Sequence, residues 1–117
     1  MARLPFRSLR AIAVNGSSML PTYNDGDWLL FKTISPPNAK KLQHLVGKVA
    51  VVERESYPGV CFIKRIIRAD INGIWVEGDN KKASTDSRQW GELAPSEIVG
   101  IVFFRYRRGE HEVIHNP

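Results

Sequence analysis

The feature that most constrains the fold is a series of short apolar runs, each of which ends at a strong turn signal. The turn signals are the stretches NDGD, SPPN, YPG and NG, which occupy residues 24–27, 35–38, 57–59 and 72–73. The runs between them are short and rich in β-branched and aromatic residues, as is typical of strands. The sequence therefore predicts a mainly β protein with little helix.

Six segments have the composition of strands, and they lie at 11–14, 28–33, 48–55, 60–69, 74–78 and 97–108. The two segments that flank the YPG turn should form a hairpin. Gly100 interrupts the last segment and indicates a bulge or a close backbone contact. Residues 39–45 are expected to form one or two helical turns, and residues 79–96 a polar, irregular loop.

Length and composition indicate one folded domain. The chain has 117 residues, of which 43% are hydrophobic, so it can bury a single core. Its formal charge of +5 permits an anionic partner without identifying one. The single cysteine, Cys61, excludes an internal disulfide, and its apolar neighbours predict that it packs as a small hydrophobic residue.

The sequence has no run of about 20 apolar residues, the length that a membrane-spanning helix needs. Arg7 and Arg10 interrupt the apolar residues near the start of the sequence, which therefore lacks the continuous centre of a secretory signal. We expect a cytoplasmic protein without a transmembrane anchor. We also expect neither a metal nor another cofactor.

Residues 16–22, GSSMLPT, are the first candidate for a chemical role. Gly16 lets the backbone bend and lets a peptide approach closely. A glycine followed by two serines is also typical of a hydrogen-bonded turn. The next three residues would form an apolar shoulder that holds the turn rigid: Met19, Leu20 and Pro21. These residues alone leave open whether Ser17 or Ser18 is a turn residue or a nucleophile.

Three stretches taken together resemble the signal peptidase I family of serine proteases. They are GSSMLPT, the strand FIKRII at 62–67 and the segment GDNKKASTDSRQWG at 78–91, in this order. The resemblance covers most of residues 12–104, and the third stretch is its most specific part. It implies that Ser18, the serine directly before methionine, is the nucleophile and that Lys64 is the base.

A lysine can act as a base only when its amine is uncharged. The pKa of a free lysine is about 10.4, and lowering it to about 8 requires about 3 kcal/mol, which burial can supply. In a strand, Phe62, Lys64 and Ile66 would share one face, so Lys64 would lie between two large apolar side chains. Chain order does not exclude a Ser-His-Asp triad. None of the histidines lies near a motif, however; they are His44, His111 and His115.

The resemblance also implies roles for the third stretch. Ser84 would hold the Lys64 amine in position, and Asp86 with Arg88 would form an ion pair that fixes the loop. A turn below the site would comprise Gly78, Asp79 and Asn80.

The oxyanion hole would use the backbone N–H groups of Ser18 and Ser17. One such donor can contribute about 10²–10³ in rate. Some members of the family add a serine hydroxyl two residues before the nucleophile. That position here is Gly16, so the second donor stays open.

The resemblance implies that residues 1–117 form a single peptidase domain, with 1–10 and 109–117 as frayed or edge segments. It implies an endopeptidase that removes a leader or propeptide from a precursor protein. The chain is most similar to the compact soluble members that mature nickel-type superoxide dismutase. The oligomeric state is open, and no nucleic acid is expected.

Two alternatives remain. The first is membrane-associated processing of signal peptides, although the spanning helices of membrane-bound members are missing from this sequence. The second is a basic nucleic-acid-binding module related to the self-cleaving repressors. Its charge would come from Lys40, Lys41, Arg105, Arg107 and Arg108.

Overall fold

The secondary structure consists mainly of short strands. A computed structural model describes residues 9–34 and 39–109. Within these residues the strands are β1 (Leu9–Ala13), β2 (Trp28–Thr33), β3 (Val49–Glu53), β4 (Cys61–Asp70), β5 (Gly73–Glu77) and β6 (Ile98–Arg107). The helices are α1 (Ala39–Leu42) and α2 (Ser87–Trp90), and single 3₁₀ turns cover Gln43–Leu45, Lys81–Ala83 and Pro95–Glu97.

The strands of the described chain pair in one antiparallel sheet, in the order β1-β2-β6-β3-β4-β5. The last strand, β6, lies between β2 and β3 and so joins the β1-β2 pair to the β3-β4-β5 part of the sheet. This arrangement confirms the prediction of a mainly β fold with little helix. No helix within residues 9–34 and 39–109 is long and apolar enough to span a membrane.

Apolar side chains pack on both faces of the sheet, because successive residues of a strand point to opposite faces. In β3, Val49 and Val51 belong to one core cluster, whereas Ala50 and Val52 belong to the other. The first cluster also contains Val14, Met19, Leu29, Phe31, Ile63 and Val102. The second also contains Leu42, Ile66, Ala69, Ile74, Val76, Leu93 and Ile98. The central strands are therefore buried on both sides.

Several local predictions are confirmed. β3 and β4 form the expected antiparallel hairpin around residues 57–59. Residues 39–45 form the expected helical turns, as α1 and the 3₁₀ turn that follows it. Gly100 makes the expected close contact, because a Cβ at this position would lie 2.5 Å from the Lys32 carbonyl oxygen.

Two local predictions are wrong. Residues 79–96 are not irregular throughout, because they contain α2, one complete 3₁₀ turn and most of another. Asp86 caps α2: its carboxylate accepts from the Arg88 N–H at 3.1 Å, and the Gln89 side chain accepts from the Asp86 N–H at 2.9 Å. Cys61 is exposed rather than packed in a core, because it lies at the start of β4 beside an open cavity.

The terminal segments are only partly described. Residues 9–10 belong to β1, at the edge of the sheet, and the Gly109 N–H donates to Asp27 at 2.7 Å. The remaining parts of the predicted terminal segments and one predicted turn lie outside the described residues: 1–8, 110–117 and 35–38. His111 and His115 lie outside them as well.

Candidate active site

The loop that carries GSSMLPT joins β1 to β2 and is fixed at several points. Met19 is fully buried in the first core cluster and anchors the loop from below. Gly16 has a φ of +87°, which favours glycine, and its N–H donates to the Asp25 carboxylate at 2.7 Å. Pro21 is exposed on the same loop. Ser18 is therefore a half-buried residue on a well-anchored support.

Lys64 lies in the middle of β4, and only 3% of it is exposed. The residues two positions before and after it, on the same strand face, are large and apolar. Burial lowers the pKa of the Lys64 ammonium below its ordinary value; the Asp86 carboxylate opposes this shift and Arg88 adds to it. The Lys64 Nζ donates to Ser84 Oγ at 3.0 Å. The structure thus brings Ser84 to the amine, 20 residues away in sequence.

Asp86 is fully buried and organises the hydrogen bonds around Ser84. Its Oδ2 accepts from the Ser84 hydroxyl at 2.6 Å and from the Gly78 N–H at 2.8 Å. Its Oδ1 accepts from Arg88 Nε at 2.9 Å, so the two residues form an ion pair. Burial disfavours the charge of Asp86, but the hydrogen bonds outweigh burial and hold the pKa of its carboxyl far below the ordinary range. Lys64, Ser84 and Asp86 form a continuous chain of hydrogen bonds.

The GDN stretch binds the loop that carries Ser18. The Asn80 N–H donates to the Ser18 carbonyl oxygen at 2.8 Å, and Asn80 Nδ2 donates to the Ser17 carbonyl oxygen at 3.0 Å. Gly78 fits closely between two parts of the site. A Cβ at Gly78 would lie 2.3 Å from Ser84 Oγ and 2.7 Å from the Ser18 carbonyl oxygen. The first and third sequence stretches therefore meet at this glycine.

The site has further support from Arg65 and Thr22, whose contacts were not predicted. The Arg65 guanidinium donates to the Asp79 carboxylate at 2.8 and 2.6 Å, and Thr22 Oγ1 donates to the same carboxylate. These bonds, led by those from Arg65, lower the pKa of Asp79. Arg65 also donates to the Gly47 carbonyl at 2.7 Å. The sequence held one signal for the position of Arg65. Side chains alternate along a strand, so Arg65 must point to the face of β4 opposite that of Lys64.

A cavity of about 250 Å³ opens between the Ser18 loop and the start of β4. Its wall contains both Ser18 and Lys64. The other lining residues, most of them apolar, are Ala13, Val14, Asn15, Met19, Val60, Cys61, Phe62 and Ile63. The two residues predicted to react therefore line one cavity.

The backbone of the Ser18 loop offers candidate donors. Within residues 9–34 and 39–109, the N–H groups of Ser17 and Ser18 donate to no other group. The C=O and N–H of a trans peptide point in opposite directions. Because Asn80 binds the Ser17 carbonyl oxygen, the Ser18 N–H of the same peptide points away from Asn80. Gly16 supplies no hydroxyl to this region.

Comparison with known proteins identifies the family. Residues 5–103 match the family described as Peptidase S24-like. Mitochondrial inner membrane protease subunit 1 of Mus musculus and that of Homo sapiens are each 30% identical to this chain over 80 residues. The aligned region is 68% of the chain and 48% of each relative, so the chain spans about half the length of these curated relatives.

Both findings confirm the predicted resemblance to signal-peptidase-like proteases at the level of the family. The family match includes all three sequence stretches on which that resemblance was based. It also extends over most of the sequence, from residue 5 to residue 103. The chain therefore belongs to the Peptidase S24-like family.

Proposed function

We propose that the protein is a serine endopeptidase in which Ser18 is the nucleophile and Lys64 is the general base. One observation carries this proposal: buried Lys64 lines the same cavity as Ser18, and its amine donates to Ser84. Membership in a peptidase family supports the class of reaction.

The direction of the hydrogen bonds leaves the lone pair of a neutral Lys64 amine free to accept a proton. Ionised Asp86 has no proton to give, so the Ser84 hydroxyl must donate to it. The Ser84 oxygen then has lone pairs with which to accept from Lys64 Nζ. A neutral amine held in this way keeps its own lone pair for the Ser18 proton. Ser84 and Asp86 are thus positioning residues that act through Lys64.

In the proposed reaction, Ser18 Oγ attacks the carbonyl carbon of the scissile bond while Lys64 Nζ takes its proton. The Lys64 ammonium gives that proton to the leaving amine, the C–N bond breaks, and an acyl-enzyme ester remains. The neutral amine then takes a proton from water, whose oxygen attacks the ester. Return of this proton to Ser18 Oγ releases the acid product and restores the enzyme.

The Ser18 N–H is the first proposed donor to the oxyanion. Its orientation away from Asn80 supports this role. The Ser17 N–H is the candidate for the second donor, since it also has no acceptor in the described parts of the chain. A donor of this kind can contribute about 10²–10³ in rate, because it binds charge that develops only in the transition state.

The proposed substrate is a precursor protein from which a leader is removed. The apolar residues that line the cavity favour uncharged side chains next to the cut. A nickel-type superoxide dismutase precursor in the cytoplasm is the candidate that the sequence resemblance implies. The relatives are named as subunits of a protease of the mitochondrial inner membrane, so processing at a membrane is the alternative setting.

A proteome-derived peptide library analysed by mass spectrometry tests the activity before the substrate is known. The purified protein should create new termini, and Ser18→Ala and Lys64→Ala should each reduce the rate at least about 10³-fold. Ser17→Ala is the matched control, since it removes a hydroxyl one residue away and keeps the backbone N–H. Full turnover by Ser18→Ala would refute the assignment of the nucleophile. Cleavage of the superoxide dismutase precursor is a separate test of the substrate.

A further inference from the structure

Asn15 is an exposed residue of the loop between β1 and β2, three positions before Ser18. It lines the cavity that Ser18 and Lys64 also line. In the described parts of the chain, the Asn15 side-chain amide has no hydrogen-bond partner. Its two N–H donors and its oxygen are therefore free to bind a ligand of the cavity.

The backbone on both sides of Asn15 is held in place. The Val14 N–H donates to the Asp27 carbonyl oxygen at 2.8 Å. On the other side, Gly16 has a φ of +87°, and its N–H donates to the Asp25 carboxylate at 2.7 Å. When a ligand binds, only the side-chain torsions of Asn15 have to become fixed. The loop thus presents the amide on a rigid support, as a preorganised donor requires.

The other polar side chains of the cavity either have a part in the proposed reaction or donate weakly. Ser18 is the proposed nucleophile and Lys64 the proposed base, and the Cys61 thiol is a weak donor. The remaining described residues of the cavity wall have apolar side chains. Among the described lining residues, Asn15 therefore carries the one strong side-chain donor that has no other part in the reaction.

The space beside Gly16 is open to a substrate. A Cβ added to Gly16 would meet no atom within 4 Å, apart from its chain neighbours Asn15 and Ser17. Because Gly16 has no side chain, a peptide carbonyl group can approach the loop at this point. It would arrive next to Asn15 on one side and next to the Ser17 and Ser18 peptides on the other.

We propose that Asn15 is a catalytic residue whose side-chain amide donates to the oxyanion that forms at the scissile carbonyl group. The proposal rests on the proposed function and adds a side-chain donor to the backbone N–H groups of Ser17 and Ser18. The nucleophile, these N–H groups and Asn15 all belong to one loop, so they face the same reacting carbonyl group. Negative charge on the oxygen selects the NH₂ end of the amide and repels its carbonyl end.

The free amide could instead bind a group of the substrate that does not react. The two roles differ in the kinetic constant that they affect. A bond made equally in the ground state and the transition state changes KM, whereas a bond to the oxyanion forms only as charge develops and changes kcat. The experiment therefore has to separate kcat from KM.

Cleavage kinetics of the library peptide that the wild-type protein cleaves fastest test the proposal. Asn15→Ala should lower kcat about 10²-fold and leave KM nearly unchanged, since one oxyanion donor contributes about 10²–10³ in rate. Asn15→Asp keeps the shape of the side chain but has no N–H and adds negative charge, so its kcat should be no higher than that of Asn15→Ala. The matched control is Asn72→Ala, the same change at an exposed position of the turn between β4 and β5, which should leave kcat and KM unchanged.

A peptide boronic acid with the residues that precede the cut gives a readout that does not depend on turnover. Its boron accepts a lone pair from Ser18 Oγ, the Ser18 proton passes to Lys64, and the tetrahedral boronate carries a negative charge like that of the oxyanion. Asn15→Ala should weaken the binding of this compound about 10-fold or more. The same variant should bind the carboxamide of the same peptide as tightly as the wild type does, and this comparison within one variant excludes a loss of folding as the cause.

Three results would overturn the proposal: a wild-type kcat in Asn15→Ala, a wild-type kcat in Asn15→Asp, or equal losses of affinity for the boronic acid and the carboxamide. The last result would assign Asn15 to ground-state binding. With an active wild type and an inactive Ser18→Ala, each of them would leave the proposed function intact. A wild-type protein that cleaves no library peptide, or a Ser18→Ala variant with full turnover, would refute the proposed function and the role of Asn15 together.

Discussion

The substitution Gly78→Ala adds one methyl group between Ser84 and the Ser18 loop. The new Cβ would lie 2.3 Å from Ser84 Oγ and 2.7 Å from the Ser18 carbonyl oxygen, whereas ordinary contacts begin at 3.4 Å. Ser84 must therefore retreat by about 1 Å and the Ser18 carbonyl by about 0.7 Å, unless Gly78 itself shifts. Gly78 is not among the glycines with positive φ, so alanine fits its backbone conformation and the clash is the main effect.

Two magnitudes follow from this displacement. Overpacking by one methyl group costs about 1–3 kcal/mol of unfolding free energy, which leaves most proteins of this size folded. A displacement of about 1 Å at a catalytic group can cost about 10²-fold in rate. Ser84 holds the Lys64 amine at 3.0 Å, so the displacement acts directly on the proposed base. We expect kcat/KM to fall about 100-fold while the fold survives.

The matched control is Gly100→Ala, which adds the same methyl group in the sheet and away from the site. Its Cβ would lie 2.5 Å from the Lys32 carbonyl oxygen and 2.7 Å from the Phe31 ring, so the steric conflict is similar. Urea unfolding should show comparable losses of stability for the two variants. Peptide cleavage, measured well below both melting temperatures, should be strongly reduced only in Gly78→Ala. Equal kcat/KM in the two variants would refute the reasoning.

Three further predictions concern single groups of the site. kcat/KM should rise with pH to a plateau with a midpoint below the ordinary lysine value of about 10.4, because burial lowers the pKa of Lys64; a flat profile with chemistry rate-limiting would contradict a lysine base. Asp86→Asn should lower the free energy of unfolding by about 3 kcal/mol at neutral pH. This difference from the wild type should shrink in urea titrations below about pH 4, since the low pKa of Asp86 stabilises the fold only while the unfolded carboxyl is ionised; a constant difference would contradict this. Alkylation of Cys61 with a bulky maleimide should abolish cleavage by filling the cavity, whereas Cys61→Ser should stay active after the same treatment; full activity of the alkylated protein would show that substrates do not use this cavity.

The strands could be predicted because their signals are local. The β-rich composition of the segments around β3 and β4, with a turn at 57–59 between them, is enough to predict a hairpin. The alternation of side chains along β4 indicated that Lys64 points to a face with large apolar neighbours, and the structure buries it. The apolar surroundings of Lys64 could therefore be predicted from its position in a strand, whereas its role as a base was implied only by the resemblance.

The unpredicted features depend on contacts between distant parts of the chain. Asp79 binds Arg65, which is 14 residues away in sequence, and Thr22, which is 57 residues away. The local sequence pattern contains no signal for contacts over such separations. The exposure of Cys61 has a similar cause. β5 pairs with β4 only from Arg65 onward, so the first residues of β4 lack a neighbour on that side. The apolar residues around Cys61 in the sequence do not show which part of β4 pairs with the neighbouring strand and which part stays uncovered.

The proposed mechanism needs an uncharged Lys64 amine and an ionised Asp86 carboxylate. Both groups are buried, and Ser84 links them by hydrogen bonds. Burial by itself lowers the pKa of Lys64 and raises that of Asp86, so it favours the neutral form of both groups. Asp86 stays ionised because Arg88, Ser84 and a backbone N–H donate to it. Lys64 donates to the Ser84 oxygen, a neutral partner that offsets little of its burial. The number and charge of their hydrogen-bond partners therefore explain why Asp86 is ionised whereas Lys64 can be uncharged.

Arg88 has a second effect in this network. The negative charge of Asp86 by itself would raise the pKa of Lys64 and favour the ammonium form, whereas the positive charge of Arg88 lowers that pKa. Arg88 thus stabilises the Asp86 carboxylate and at the same time limits the influence of that carboxylate on Lys64. The ion pair, which was expected from the sequence to fix the loop, also supports the uncharged amine that the proposed reaction requires.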